Sequence, residues 1–280
     1  MGDIPEFTQY NGEKRIALLD NSALAFMHQL DLSGYAPDVL FQDYELIAIP
    51  GWVREEINDS AYRCQYVERL IITGFPIFWI DERKYIDLID QKEIFLFKIV
   101  EASASLLPDL LRYLRQNVQK EDMLDLEPAE EWMQTMYDNW PLPGKTAGNG
   151  RQTKKNAGEI SLTILAEIFS WFHSDIECLT IFTQDTDTYH FQKRAEEKLK
   201  KFFDTEIPVS VTYKSNDFIL WQLFQEGYLS LEDICVQRKD SRTVVYAQRQ
   251  PDQSFSLLSK VLTNTEFTSL IANDAIQIIF

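Results

Sequence analysis

Residues 16–22 read Ile-Ala-Leu-Leu-Asp-Asn-Ser, four apolar residues running straight into a carboxylate. An alternating strand keeps one face wet, whereas an uninterrupted apolar run is buried on both faces, as a strand is inside a helix-covered parallel sheet. The run delivers Asp20 at its carboxyl end, the edge where open α/β sheets carry their sites. An ionised acid at the mouth of a core is costly unless a cation or hydrogen bonds compensate it. The plainer alternative is that Asp20 caps the helix behind it, since Asp is a favoured start residue.

The pattern then repeats along the chain. Ala23 to Leu30 predicts a short helix, and Ser33 to Pro37 breaks it. Leu46 to Ile49 is a second apolar run stopped by Pro50. Trp52, Val53 and Ile57 follow at helical spacing, so Pro50 stands where a missing N–H does no harm. Glu55 and Glu56 are expected in the first turn of that helix, where the helix dipole also favours acids. The helix should run on through Val67 and Leu70 to Thr73, with Gly74 ending it and Pro76 to Ile80 forming a third strand. Such alternation implies a parallel sheet with right-handed crossovers.

Residues 81 to about 140 break the alternation. Ile94, Phe97, Leu106, Leu110 and Leu114 predict two helices, and Trp132, Met133, Met136 and Tyr137 a third. This helical insertion reads as a lid, a substrate-selecting surface or a docking face. Pro141 to Lys155 is a glycine-rich basic loop. Asn139 stands where a nucleotide-binding phosphate loop needs glycine, which excludes that motif. Lys145, Arg151, Lys154 and Lys155 are either a phosphate-contacting edge or a solvated surface.

Gly158 and Glu159 open a strongly apolar helix that reaches Phe172. Cys178 to Phe182 is a fourth strand ending in Thr183-Gln184-Asp185-Thr186-Asp187, and an Asx-turn would use only one of those two carboxylates. A basic helix follows with Lys193 and Arg194, then a fifth strand at Val209 to Tyr213 and a helix at Asp217 to Phe224. Beyond Leu229 the pattern suggests a strand at Thr243 to Ala247, a helix near Phe255 to Leu262 and an apolar end from Ala275 to Phe280.

With 45% hydrophobic residues and only 10 Gly and 10 Pro, the composition is that of a globular protein rather than a disordered one. Its expected organisation is a domain over 1–228, interrupted by the insertion at about 81–155, and an extension over 229–280. No stretch has the length of a membrane span and the N-terminus lacks a signal-peptide pattern, so a cytoplasmic protein without a membrane partner is expected. Cys64, Cys178 and Cys235 are widely spaced and read as buried free thiols. The 3 His residues are too scattered for a zinc site, which leaves carboxylates to do any chemistry. A net charge of -17 argues against coating DNA or RNA by bulk attraction, but a nuclease survives that test because its metal-binding acids add negative charge.

Four acids occupy comparable places: Asp20 after strand one, Glu56 in the helix after strand two, Glu159 at the head of a central helix and Asp185 after strand four. If strands one and four are neighbours, all four converge on one cleft. Ionised together they repel, so the cluster implies hard divalent cations held by oxygen ligands. One or two Mg²⁺ or Mn²⁺ ions, about 4 Å apart if paired, would activate water and stabilise the leaving oxygen in phosphodiester cleavage.

The stretches Leu-Leu-Asp20-Asn-Ser22, Ile49-Pro50 with Val53 and Glu56-Ile57, Gly158-Glu159 and Thr183-Gln-Asp185-Thr-Asp187 resemble the PIN-domain family of metal-dependent ribonucleases. The resemblance covers residues 15–80 and 156–228 and leaves the insertion and the tail unmatched. It implies a three-layer α/β/α fold around a five-stranded parallel sheet of order 3-2-1-4-5. It also implies that Asp20, Glu56, Glu159 and Asp185 are the catalytic metal ligands. Asp187 would be an accessory ligand or water holder, and Ser22 would orient the first aspartate. Glu55 stays open as the alternative to Glu56. RNA would be the substrate, with Lys145, Arg151, Lys154, Lys155, Lys193 and Arg194 as its contacts. A homodimer follows by analogy, and an antitoxin or regulatory protein is a candidate partner.

The expectation is therefore an Mg²⁺- or Mn²⁺-dependent endoribonuclease in a stress, toxin-like or anti-phage role, although the two additions depart from compact toxins. One alternative keeps the fold but drops the chemistry, leaving a catalytically weak module that binds RNA or protein. Another takes Asp185-Thr-Asp187-Thr188 as the nucleophile and general acid of a haloacid dehalogenase-like phosphatase.

Overall fold

Ile16, Ala17, Leu18 and Leu19 are all fully buried, so both faces of their strand are covered, as the apolar run predicts. The computed structural model describes residues 4–118, 128–146, 150–239, 241–250 and 252–280. In it β1 (Arg15–Leu19) leads through α1 (Asn21–Leu32) to β2 (Leu46–Pro50), and α2 (Gly51–Asn58) and α3 (Ala61–Ile72) lead to β3 (Ile77–Ile80). The insertion contributes α4 (Glu93–Ser103), α5 (Pro108–Asn117), α6 (Ala129–Asp138) and a hairpin of β4 (Pro143–Thr146) and β5 (Gln152–Lys154). The chain returns through α7 (Ala157–Phe172), β6 (Cys178–Phe182), α8 (Thr186–Phe203), β7 (Val211–Lys214) and α9 (Asn216–Gln225). The extension holds α10 (Leu231–Gln237), β8 (Arg242–Arg249), β9 (Phe255–Leu262), α11 (Asn264–Ile271) and β10 (Ile276–Ile278).

The main sheet has the order β3-β2-β1-β6-β7, all parallel, which is 3-2-1-4-5 in its own strands. Leu19 lies opposite Phe182, so Asp20 and Thr183 leave neighbouring strands at the same level. Helix α7 packs over β1, β2 and β6, and its apolar run from Ile160 to Phe169 is buried. That packing sets Glu159, at the head of α7, against the carboxyl ends of the strands.

Four local expectations change. The single helix expected over residues 52–73 is two, because Ser60 Oγ accepts the Arg63 amide and starts α3 afresh. The loop expected over Pro141–Lys155 forms the β4–β5 hairpin, where a Cβ on Gly144 would lie 2.8 Å from the Thr153 carbonyl oxygen. The helix expected near Phe255 is the strand β9, paired along its whole length with β8; a short apolar run fits either period, and the hairpin partner decides. Of the three free thiols only Cys64 is buried, while Cys178 is half-buried and Cys235 exposed.

The insertion packs onto the sheet domain through Trp52 and Tyr137, whose rings stack at 4.9 Å. The extension is fastened by Asp217 of α9, which accepts from Arg238 Nε at 2.9 Å and Arg242 Nη2 at 2.6 Å. Among the described residues no helix is long and apolar enough to cross a membrane.

Candidate active site

Asp20 sits at the N-cap position of α1 but makes no capping hydrogen bond with its side chain. Its Oδ2 accepts instead from the hydroxyls of Ser22 and, at 2.9 Å, Thr183. Thr183 Oγ1 also accepts the amide of Asp185 at 3.0 Å, and Ser22 Oγ accepts the amide of Gln184 at 3.1 Å. The two strand ends are thus laced together around one carboxylate. Burial pushes the Asp20 carboxyl above its ordinary range, and the two hydroxyl donors oppose that rise.

Glu56 reaches the same place from α2. Because that helix starts at Gly51, Glu56 lies beyond the first turn, where the dipole no longer accounts for an acid. Asn21 Nδ2 donates to Glu56 Oε2 at 3.3 Å, while Asn21 Oδ1 is buried without a hydrogen-bond partner. Helix α2 comes close to α7 at Gly158, where a Cβ would meet Glu56 Oε1 at 3.0 Å and Val53 Cγ2 at 3.3 Å. Burial, and after it repulsion from Asp20, lifts the Glu56 carboxyl to about 7. Glu159 in the first turn of α7 is lifted to about 8, mainly by burial, and then by Asp20, Asp185 and Glu56.

Asp20, Glu56 and Glu159, from three separate elements, therefore repel one another at one edge of the sheet, and Asp185 adds to the field at Glu159. None of the four forms an ion pair among the described residues. Asp185 caps α8 by accepting the Asp187 amide at 2.8 Å, and Asp187 is exposed.

Glu55 points elsewhere. It accepts from Tyr137 OH at 2.8 Å and pairs with Arg151, so of the two adjacent acids only Glu56 faces Asp20. Arg151 and Lys154 line a narrow crevice with Trp52, Glu56 and Tyr137, which places α6 and the β4–β5 hairpin as a wall beside Glu56. Lys154 Nζ lies 3.3 Å from the Tyr137 ring centroid, and burial lowers its pKa. Lys145, Lys155, Lys193 and Arg194 are exposed, with Arg194 paired to Glu197 at 2.8 Å.

Sequence reasoning assigned no role to Asn21, Thr183 or Glu82. The first two adjoin motif acids, so their polarity beside buried strand ends was the available signal. Glu82 follows the third strand with no such mark. It is almost fully buried, and its Oε1 accepts the Trp52 amide at 2.8 Å and Ser161 Oγ at 2.5 Å. This carboxylate ties the start of α2 to α7, the helices that carry Glu56 and Glu159. Burial raises it to about 8.

Among the described residues the acids that meet here, Asp20, Glu56, Glu159 and Asp185, offer hard oxygens, and the neighbouring Asn21 Oδ1 is buried without a partner. That set suits Mg²⁺ or Mn²⁺ and not a thiophilic metal. Among the described residues no three acid, His or Cys side chains are already drawn close enough to hold an ion. No family model, no curated protein and no solved structure matches this chain. Architecture alone therefore defines its class: an α/β protein with a PIN-like, Rossmann-like parallel sheet of order 3-2-1-4-5, extended by an insertion and a small antiparallel sheet.

Proposed function

We propose that the chain is a divalent-metal-dependent endoribonuclease, using Mg²⁺ or Mn²⁺, with its active site at Asp20, Glu56, Glu159 and Asp185. The observation that carries this reading is the convergence of buried Asp20 with half-buried Glu56 and Glu159, from three elements, at the carboxyl edge of the sheet, where the carboxyls are all pushed above their ordinary range. Burying like charges without a counter-ion is costly, and a cation in the cleft would offset that cost. Asp20, Glu56, Glu159 and Asp185, with Asn21 Oδ1, are the residues that would hold it. When bound, the ion would supply an activated water and stabilise the charge developing on the leaving oxygen.

The chain's own part is placement. Ser22 and Thr183 hold the Asp20 carboxylate in one orientation. Asn21 aligns Glu56, and Glu82 keeps α2 on α7. Arg151, paired with Glu55 and Asp59, and Lys154 bring positive charge to the wall beside Glu56, along which a phosphodiester backbone would approach. RNA as the polymer, and a stress, toxin-like or anti-phage setting with an antitoxin or regulatory partner, follow from the resemblance of the motifs.

Water attack forms one P–O bond and breaks the P–O3′ bond, and the proton released from water balances the one taken up by the leaving oxygen. The products carry 5′-phosphate and 3′-hydroxyl ends. End-group analysis of RNA incubated with the protein and Mn²⁺ tests this: the expected ends appear with Mn²⁺ and not with chelator. Cyclic phosphate ends would instead mean attack by the 2′-hydroxyl and contradict the proposed chemistry.

A second reading, a PIN-like module that binds RNA or protein without cutting, is favoured by the open spacing of the acids. Intact RNA together with tight RNA binding would select it. The phosphatase alternative, with Asp185 as nucleophile and Asp187 as general acid, has no specific observation in its favour.

A further inference from the structure

We propose that the outer edge of β9 pairs with β9 of a second copy of this chain, giving an antiparallel sheet continuous across a two-fold dimer. The three-stranded sheet of the extension has the order β10-β8-β9, which leaves β9 at its edge. Hydrogen bonds to both sides of β8 show which backbone groups of β9 face outward. Val245 and Arg249 of β8 bond toward β10 and the C-terminus, through Phe280 and Ala275, while Gln250 donates to Ser254 and closes the hairpin. Even-numbered residues of β8 therefore bond to even-numbered residues of β9. Phe255, Leu257, Ser259 and Val261 turn their N–H and C=O groups away from the sheet, and no backbone partner meets them among the described residues.

Native edges are usually blunted by shortness, charge, Pro or a bulge. This one has eight residues, no Pro and a single charge, Lys260. Three of its apolar side chains are in water: Phe255 is 56%, Leu257 69% and Val261 62% exposed. All three lie on the same side of the strand as the unpaired backbone residues, because they are those residues.

The edge is complementary to itself. An antiparallel copy with its two-fold axis at Leu258 sets Phe255 opposite Val261 and Leu257 opposite Ser259. Every outward backbone group then meets another outward group, and an aromatic side chain faces a β-branched one, which is a favourable cross-strand pair. Lys260 falls opposite Ser256, so no like charges meet. Each chain carries a net charge of -17, yet β9 contains no acid, and this edge brings two copies together without opposing carboxylates. A second copy is therefore the occupant that the strand itself specifies.

Sedimentation equilibrium of the full chain over a concentration series tests this, and a reversible dimer is expected. Ser259→Pro removes an outward N–H that the chain's own ladder does not use, and Pro is tolerated at such edge positions. It should leave the far-UV circular dichroism unchanged and the protein monomeric. Leu257→Glu, at an exposed side chain, should do the same and serves if the proline variant misfolds. In a Cys235→Ser background, Leu258→Cys should cross-link to its own copy under mild oxidation, since that position meets itself on the axis. A monomer at every concentration would overturn the proposal. So would a dimer that survives Leu257→Glu and fails to cross-link through position 258.

Discussion

Thr183 Oγ1 donates to Asp20 Oδ2 at 2.9 Å while accepting the Asp185 amide at 3.0 Å. One hydroxyl thereby orients the acid of the first strand and shapes the turn that presents the acid of the fourth. Hydrogen-bond partners of metal-binding carboxylates commonly matter almost as much as the ligands, and their loss costs roughly 10- to 100-fold in affinity or activity. Thr183→Val keeps the side-chain volume and removes both bonds. Mn²⁺-dependent RNA cleavage should fall by about that factor with the fold intact by circular dichroism; an unchanged rate would deny Thr183 this role.

Glu55 and Glu56 are neighbours in sequence with opposite surroundings. Glu56 is joined to Asn21 and repelled by Asp20, whereas Glu55 is engaged by Tyr137 and Arg151. Glu56→Gln should abolish cleavage. Glu55→Gln should leave the chemical step in place and weaken RNA binding through a loosened Arg151, visible as a raised KM. Equal loss of kcat in both variants would mean that the two acids are not distinguished.

Gly158 separates stability from activity. Replacing a helical glycine by alanine ordinarily gains about 1 kcal/mol. Here the added Cβ would meet Glu56 Oε1 at 3.0 Å, and the flexible carboxylate is the group able to move. Gly158→Ala should therefore retain or slightly raise the melting temperature while lowering kcat. A variant with wild-type kcat would show that the position of Glu56 is not critical.

Glu167 gives the fold a pH dependence away from the candidate site. It is fully buried in α7, with Oε2 accepting from Trp171 Nε1 at 2.7 Å and Oε1 without a partner. Burial raises it from 4.5 to about 8. Between those values the unfolded chain has lost a proton that the native chain keeps, so stability falls as pH rises. Below the window the carboxyl is protonated in both states and contributes nothing. Glu167→Gln should flatten the fall and be more stable at the alkaline end by on the order of a few kcal/mol. Urea unfolding of both proteins at the two ends of the window measures this; parallel curves would contradict it.

Much of the sheet was legible because fully apolar strands leave little choice of partner. Ile16 to Leu19 and Cys178 to Phe182 need cover on both faces, and only adjacent central positions provide it. Helix breaks were less legible. Ser60 restarts a helix within an unbroken apolar period, and Phe255 to Leu262 shows its strand character only beside β8. At the site, the sequence marked the acids but not their supports. Glu82 acts on residues far from it in sequence, through the Trp52 amide and the Ser161 hydroxyl, and such long-range contacts leave no local pattern. Likewise, nothing in the spacing of Glu55 and Glu56 could show that Tyr137 of the insertion would claim the former.

The most direct test of the central claim compares the intact protein with Asp20→Asn on a pool of single-stranded and structured RNA, with Mn²⁺ and with chelator. The account predicts cleavage by the wild-type protein only in the presence of Mn²⁺, and none by Asp20→Asn under either condition. Cleavage that persists in Asp20→Asn, or RNA left intact by a wild-type protein that calorimetry shows to take up no Mn²⁺, would contradict it.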